Sequence, residues 1–239
     1  MIKLPKNKKI IISNWKSNGS LRFLKKYLQK IKINKRNSLI ILCPPSPFIN
    51  SINTKKLFKG SQDCSIYPKG AYTGENNIDI LKDIGCDFCI VGHSERRKYF
   101  REDSKIIFHK VNICIKSEIT PILCIGETLK QKKLKQTKLV IRKQIINSIP
   151  KNIKTNNIII AYEPRWAIGT GLVPKLKEIS DIHLFIKKNV LKNMNFKVLY
   201  GGSVNSSNSS DILNLRGVDG LLVGGASKDI SEFNKILKF

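Results

Sequence analysis

The sequence predicts an α/β fold: one domain over residues 1–239 in which eight parallel strands close into a (β/α)8 barrel. Short apolar runs alternate with longer amphipathic, lysine-rich stretches, eight times over and without an intervening linker. The short runs are apolar at consecutive positions, as in strands that are buried on both faces of a parallel sheet. The eightfold repetition favours closure of that sheet into a barrel.

The predicted strands are the eight apolar runs, of which the third has the weakest pattern. Amphipathic segments between them are predicted helices, for example Leu21–Ile33 and Ile179–Leu191, the second with Ser180 as its N-cap. The strands in chain order are Ile10–Asn14, Leu39–Cys43, Lys59–Gln62, Phe88–Gly92, Pro121–Ile125, Ile158–Tyr162, Val198–Tyr200 and Gly220–Val223.

An open, doubly wound sheet is the competing α/β architecture. It would call for a glycine-rich phosphate turn after the first strand. The first strand is followed instead by "SNWKSNG", and the sequence contains neither G-x-G-x-x-G nor a P-loop. The absence of both motifs also argues against a nucleotide ligand.

The net charge of +27 raises the possibility of a nucleic-acid partner. Only eight of the 44 basic residues are arginine, however, and the lysines are scattered through nearly every predicted helix. We therefore expect no specific nucleic-acid partner, although the charge would attract an anionic substrate. The apolar runs are shorter than a membrane span, and the basic start leads into no signal-type segment. We expect a cytoplasmic protein without a membrane partner.

Six cysteines occur, at positions 43, 64, 86, 89, 114 and 124. "CDFC" at 86–89 has the C-x-x-C spacing of redox and zinc motifs, but its second cysteine enters a predicted strand and no second pair follows. We therefore expect free, mostly buried thiols and no metal site.

Candidate catalytic residues lie where the predicted strands end. In a barrel of this kind, the loops that follow the strands meet at one mouth, and active sites lie there. Lys16, His93 and Glu163 come from three different strand ends. The last two strands end in the Gly-Gly turns "YGGSV" at 200–204 and "LVGGAS" at 222–227, which are typical of a phosphate site.

These residues suggest proton transfer on a phosphorylated substrate. Glu163 could act as a general base on a carbon beside a carbonyl group, and His93 could donate a hydrogen bond to the resulting enediolate. His93 opens a predicted helix, whose dipole disfavours a charged imidazole. Lys16 supplies a positive charge for the phosphate and the oxygens, and Asn14 a further hydrogen bond.

The segment "PRWAIGTG" at 164–171 has the composition of a lid. A proline stiffens its first end and two glycines loosen the other, while Trp166 and Ile168 offer an apolar inner face. Closure would exclude water from the substrate.

Seven segments in order resemble the triosephosphate isomerase family along essentially the whole chain. The resemblance implies the TIM-barrel fold and the interconversion of dihydroxyacetone phosphate and D-glyceraldehyde 3-phosphate, in glycolysis and gluconeogenesis, without metal or organic cofactor. The segments are "NWK" at 14–16, "GAYTGE" at 70–75, "VGHSERR" at 91–97, "PILCIGE" at 121–127, "AYEPRWAIGTG" at 161–171, "YGGSV" at 200–204 and "LLVGGAS" at 221–227.

The resemblance also implies a role for individual residues. Glu163 would be the base, His93 the electrophile and Lys16 the electrostatic group, which with Asn14 also binds substrate. Glu95 would orient the Lys16 region, and Thr73 would reach the neighbouring subunit of a homodimer. The phosphate would be held by Gly169, Ser203, Gly224 and Gly225.

Two points remain open at this stage. Arg165 stands in the lid where the family usually has a small apolar residue, which affects expectations for lid closure. A different phosphate-handling barrel is the alternative enzyme, although a Schiff-base aldolase would place a lysine inside the barrel.

Overall fold

A closed barrel of eight parallel strands forms the centre of the protein. The computed structural model describes residues 2–33, 38–151, 153, 158–170, 172–192, 194 and 196–239. Neighbours in the chain are neighbours in the sheet, and β1 pairs with both β2 and β8 to close it. The strands are β1 Lys9–Asn14, β2 Ser38–Cys43, β3 Phe58–Ser61, β4 Phe88–Val91, β5 Thr120–Ile125, β6 Ile159–Tyr162, β7 Lys197–Tyr200 and β8 Gly220–Val223.

The barrel confirms the predicted fold class, and every predicted strand is present with each end displaced by one residue at most. The weakly predicted third strand is β3, which forms only two register pairs with β2 and two with β4. Its sequence, FKGS, contains a lysine and a glycine, so little apolar surface marks it as a strand.

Helices of the described residues surround the barrel and follow the strands. Short 3₁₀ turns lie at Arg165–Ala167 and Gly225–Lys228, and a π-helical turn lies at Ile186–Val190. The α-helices are α1 Leu21–Lys30, α2 Ser46–Ile49, α3 Ile78–Asp83, α4 Ser94–Tyr99, α5 Ser104–Lys116, α6 Leu129–Lys133, α7 Thr137–Ser148, α8 Leu176–Phe185, α9 Ser209–Asn214 and α10 Ile230–Ile236.

The start of α8 corrects the prediction of Ser180 as an N-cap. The helix begins at Leu176, and the backbone N–H of Lys175 donates to the carboxylate of Glu178 at 3.2 Å. Ser180 lies inside the helix, where its hydroxyl donates to the carbonyl oxygen of Arg216 at 3.0 Å. Glu178 in the first turn also suits the helix dipole, and this cap outweighs the local preference of Ser180.

Apolar side chains fill two separate layers. Alternate strand residues such as Ile12, Ile41 and Ile90 point into the barrel, while their neighbours Ile11, Leu42 and Val91 pack against the helices. Both faces of each strand are therefore buried, which is why the strands are apolar at consecutive positions. None of the described helices has the length and apolar character that crossing a membrane requires.

Candidate active site

A cavity of about 360 Å³ opens at the mouth of the barrel where the strands end. The loops after β1, β4, β6, β7 and β8 line it, so residues far apart in the chain meet there. All eight residues expected to be catalytic or to bind substrate line this cavity: Asn14, Lys16, His93, Glu163, Gly169, Ser203, Gly224 and Gly225. Two glycine turns and an amide thus share one space with a carboxylate, an imidazole and an ammonium group.

Glu163 follows β6 directly and is almost completely buried, with 2% of the residue exposed. Its Oε2 accepts a hydrogen bond from the backbone N–H of Ser94 at 3.2 Å, and its Oε1 lies 3.2 Å from Nε2 of His93. A side chain at Gly126 would overlap the carbonyl oxygen of Glu163, and one at Gly201 would come within 2.9 Å of its Cγ. Gly126 therefore leaves space for the backbone of Glu163, and Gly201 leaves space for its side chain.

His93 lies two residues after the end of β4 and is the N-cap of α4. Its Nδ1 accepts a hydrogen bond from the backbone N–H of Glu95 at 3.3 Å, so the ring proton resides on Nε2. The position at a helix N-terminus favours the same uncharged ring. In this tautomer the Nε2–H group points toward Glu163 and the cavity.

Lys16 lies at the end of β1 in an unusual backbone conformation, with a φ of 53°. Its backbone N–H donates to Oδ1 of Asn14 at 3.0 Å, and the side-chain amide of Gln62 donates to its carbonyl oxygen at 2.8 Å. The Nζ contacts Oε1 of Glu95 at 2.5 Å. A side chain added at Gly224 would meet Cε of Lys16 at 3.4 Å. Local hydrogen bonds thus hold a left-handed, non-glycine backbone that directs the ammonium group over the Gly224 turn.

The glycine turns after β7 and β8 expose backbone donors to the cavity. Among the described residues, the N–H groups of Ser203, Gly224 and Gly225 donate to no protein acceptor. The Ser227 hydroxyl donates to the carbonyl oxygen of Gly224 at 2.7 Å and fixes the second turn. Unpaired N–H groups beside an ammonium group form a site that suits an anion.

The lid segment contacts the glycine turn through one hydrogen bond. The Ser203 hydroxyl donates to the carbonyl oxygen of Ala167 at 2.5 Å. Ile168 and Gly169 line the cavity, whereas Trp166 does not. The expectation that Trp166 forms the inner face of the lid is therefore wrong for this conformation, and Gly171, the second lid glycine, lies outside the described residues.

Glu127 explains the position of Trp166 and was missed as a functional residue. Its Oε1 accepts a hydrogen bond from the indole Nε1–H of Trp166 at 2.8 Å, and its backbone carbonyl accepts from Arg165 N–H at 3.0 Å. The Tyr162 hydroxyl lies 3.3 Å from both carboxylate oxygens. Burial raises the pKa of Glu127, while the hydrogen bonds from Trp166 and Tyr162 oppose the shift. The signal available in the sequence was its position just after the fifth strand.

Arg97 is a second residue that sequence reasoning left without a role. Its Nε donates to the carbonyl oxygen of Gly92 at 2.8 Å, and its Nη2 donates to that of Cys124 at 2.9 Å. The guanidinium therefore ties together the ends of β4 and β5 just behind His93. Burial lowers the pKa of Arg97, and the carboxylate of Glu163 counteracts part of that shift.

Glu95 and Thr73 lie outside the cavity. Glu95 contacts Nζ of Lys16, which lines the cavity. Thr73 is exposed on the turn at residues 70–75, where the backbone N–H of Glu75 donates to the carbonyl oxygen of Tyr72 at 3.1 Å. Any role of Thr73 must therefore involve another molecule.

Comparisons with known proteins address the identity of this arrangement. A family model described as triosephosphate isomerase matches residues 9–239. The chain belongs to the triosephosphate isomerase family. Among its relatives, the triosephosphate isomerase of Francisella tularensis subsp. holarctica is 39% identical over 243 residues, covering 96% of each chain. That of Zygosaccharomyces bailii is 38% identical over 226 residues, covering 90% of this chain and 91% of the yeast protein.

Membership of the triosephosphate isomerase family confirms the resemblance drawn from the seven segments and the TIM-barrel fold. The chain is accordingly an enzyme of the isomerase class with a triose phosphate as substrate. A third relative, from Francisella philomiragia subsp. philomiragia, is 38% identical over 245 residues and carries the same name.

Proposed function

We propose that the protein interconverts dihydroxyacetone phosphate and D-glyceraldehyde 3-phosphate by proton transfer through an enediolate. The observation that supports this proposal best is the position of Oε1 of Glu163, 3.2 Å from Nε2 of His93, in a cavity that Lys16 also lines. A base, a neutral hydrogen-bond donor and a cation around one small space are the groups that this reaction needs.

Glu163 is the proposed base. Its carboxylate removes a proton from the hydroxyl-bearing carbon beside the carbonyl group and returns it to the former carbonyl carbon, while one proton passes from the hydroxyl oxygen to the former carbonyl oxygen, so no atom is gained or lost overall. The cavity wall excludes bulk water from this buried carboxylate, which keeps the proton available for the return step.

His93 is the proposed electrophile. Because Nδ1 is occupied as an acceptor, Nε2 carries the proton and donates a hydrogen bond to the substrate oxygens as negative charge develops on them. A neutral imidazole suits an enediolate better than an imidazolium would. An imidazolium would transfer its proton to the substrate prematurely, whereas the neutral ring donates a hydrogen bond.

Lys16, Asn14 and the glycine turns are the proposed binding groups. The ammonium of Lys16 lies over Gly224, and the N–H groups of Ser203 and Gly225 are unpaired within the described protein, so a phosphate dianion would meet charge and donors together. Gly169 would join the phosphate site from the lid, and closure of the lid would retain the enediolate until it is reprotonated.

Substitutions of Glu163 test the function. We expect Glu163→Asp to lower turnover on both triose phosphates by about 10²-fold, because the carboxylate recedes by about one methylene. Glu163→Gln removes the base and should cost about 10⁴-fold. A coupled assay measures both, and Glu118→Asp, at an exposed carboxylate that lies 3.8 Å from Nζ of Lys82, is the matched control. Wild-type turnover in Glu163→Gln would refute the assignment.

We also propose that the working form is a homodimer that pairs through the exposed segment at residues 67–76. Tyr67 and Tyr72 stack there with ring centroids 4.3 Å apart, yet both remain exposed. Aromatic surface of this kind is enriched at protein interfaces. Sedimentation should give twice the chain mass of 27.1 kDa, and Tyr72→Asp should shift the equilibrium toward monomers. A monomeric wild type at micromolar concentration would contradict the proposal.

The remaining expectations form part of the same proposal. The chain would act as a single domain over residues 1–239, in the cytoplasm, in glycolysis and gluconeogenesis, without a nucleic-acid or membrane partner. The +27 charge would then steer the anionic substrate, and binding to DNA would be weak and lost near physiological salt.

A further inference from the structure

Three cysteines converge outside the active site, in the layer between the barrel and the helices. Cys64 follows β3, Cys89 lies in β4 and Cys114 lies in α5. Their Sγ atoms all lie within 4.8 Å of one another, and those of Cys64 and Cys114 are 3.8 Å apart. All three side chains are buried and free of disulfides. We call these three residues the thiol cluster.

We propose that the thiol cluster is a structural binding site for Zn²⁺. Zinc binds thiolates at about 2.3 Å in tetrahedral geometry, which separates the sulfur atoms by about 3.8 Å. The Cys64–Cys114 distance already has this value, and the other two pairs need to close by at most about 1 Å. Sequence spacing alone had directed attention to Cys86 and Cys89, whereas the fold joins Cys89 to Cys64 and Cys114.

Ser61 provides an oxygen beside the thiol cluster. It is the register partner of Cys89 across the β3–β4 pair, so both side chains stand on the same face of the sheet. Its buried hydroxyl has no hydrogen-bond partner among the described residues. Structural zinc prefers four ligands, and a buried oxygen without a partner is available as the fourth.

The charges around the thiol cluster can accommodate the bound ion. Binding replaces up to three S–H protons, which leave to solvent, with one Zn²⁺ and leaves a net charge of about −1. Lys110 lies one helical turn before Cys114 on α5, and its Nζ contacts Asp63, the neighbour of Cys64, at 2.6 Å. The adjacent group pairs two cations, Lys110 and Arg96, with the carboxylates of Asp63 and Glu102, so it places no uncompensated negative charge beside the site.

The ion would add direct bonds between elements that already meet nearby through the contact of Lys110 with Asp63. It would connect the loop after β3, the strand β4 and the helix α5 through three short bonds, and β3 is the strand with few register pairs. Binding would stabilise the folded chain and would not require a bound triose phosphate.

Metal counting on the full-length protein tests the proposal. The reduced chain is incubated overnight with ZnCl₂, passed through a desalting column with a mild chelator, and analysed by plasma mass spectrometry. We expect about one Zn²⁺ per chain for the wild type, and a loss of at least about tenfold in Cys64→Ser, Cys89→Ser and Cys114→Ser. Cys86→Ser, which alters a buried thiol outside the cluster, is the matched control and should retain the ion.

Three results would overturn the proposal. The first is a wild type that retains less than about a tenth of an equivalent, far below the retention expected of a structural site. The second is a Cys86→Ser protein that loses as much zinc as the cluster variants. The third is a Cys64–Cys114 disulfide in the purified chain, which mass spectrometry without reduction would detect.

Cobalt spectroscopy keeps the test decisive if the serine variants fail to fold. Co²⁺ added to the wild type should produce a thiolate-to-cobalt charge-transfer band that one equivalent of Zn²⁺ removes. Absence of that band would refute ligation by thiolates. Neither readout depends on turnover, so failure here leaves the proposed isomerase activity untouched.

Discussion

Lys16 and Lys110 both contact carboxylates, but the surroundings of the two lysines differ. Lys16 ends β1, keeps 28% of its side chain exposed and has one carboxylate partner, Glu95. Lys110 lies in α5 with 5% of its side chain exposed. Its Nζ contacts both carboxylate oxygens of Asp63, at 2.6 and 2.8 Å, and Oε1 of Glu102 at 2.7 Å.

The difference lies in how many ammonium protons remain available. The three contacts of Lys110 use all three of its N–H bonds, whereas Lys16 uses one and lines the cavity. Arg96 completes the buried group around Lys110 by contacting Asp63 at 2.9 Å and Glu102 at 2.6 Å. The ammonium group of Lys110 has no donor left for a ligand, whereas an ammonium group with free donors beside a cavity can bind one.

The largest expected effect separates the two lysines by stability. Lys110→Met leaves the buried carboxylates of Asp63 and Glu102 with Arg96 alone, so the free energy of unfolding should fall by about 3–5 kcal/mol. Turnover per folded molecule should stay within about threefold of wild type. Urea denaturation measures the loss, and Lys105→Met on the exposed face of α5 is the control. Equal free energies of unfolding for Lys110→Met and Lys105→Met would contradict a stabilising role for Lys110.

Lys16→Met should show the opposite pattern. We expect kcat/KM to fall by about 10²–10³-fold, equivalent to about 3–4 kcal/mol of transition-state stabilisation. The free energy of unfolding should change by less than about 1 kcal/mol, because the contact with Glu95 is partly exposed. Lys98→Met on the exposed face of α4 serves as the control. A stability loss as large as that of Lys110→Met would show that the two lysines have the same role.

His183 sharpens the comparison because it is a buried titratable group that packs against the rings of Tyr162 and Tyr200 but has no hydrogen-bond partner for its side chain among the described residues. Burial lowers the pKa of His183 to about 4. The unfolded chain, with a pKa of about 6.5, binds a proton between these values that the folded chain does not, so stability should fall as the pH drops from about 6.5 to about 4.

The expected contribution of His183 over that pH range is about 3 kcal/mol. Urea denaturation at pH 7 and at pH 4.5 should show a smaller difference in the free energy of unfolding for His183→Leu than for the wild type. His109→Leu, which alters an exposed histidine on α5, should keep the wild-type difference. An unchanged difference in His183→Leu would mean that other groups cause the acid sensitivity.

The smallest expected effect concerns the lid. Ser203→Ala removes the hydrogen bond to the carbonyl oxygen of Ala167, which should raise KM about fivefold, equivalent to about 1 kcal/mol. The control is Ser207→Ala in the same loop, whose hydroxyl donates to Asn205 at 2.6 Å and faces away from the cavity. Steady-state kinetics would contradict the assignment if both variants had the wild-type KM.

Much of the site followed from the strand ends, because a parallel barrel brings them to one mouth whatever the helices contain. The sequence therefore sufficed to predict that Lys16, His93 and Glu163 lie close together. The direction of the Trp166 side chain could not be predicted in this way. It depends on a hydrogen bond to Glu127, which follows the end of a different strand. Ser180 was misplaced because a carboxylate two residues earlier provides the cap.

The sequence by itself determined the order of strands and placed Lys16, His93 and Glu163 at one mouth, because apolar runs and the residues that end them are properties of short segments, and its resemblance to a family supplied the remaining binding residues. The tertiary structure alone decided which partners the charged and sulfur-bearing side chains take. Lys110 meets Asp63, and Cys89 meets Cys64 and Cys114, across elements whose mutual register depends on packing of the whole barrel. Such contacts depend on distances of a few ångströms, which no local pattern encodes.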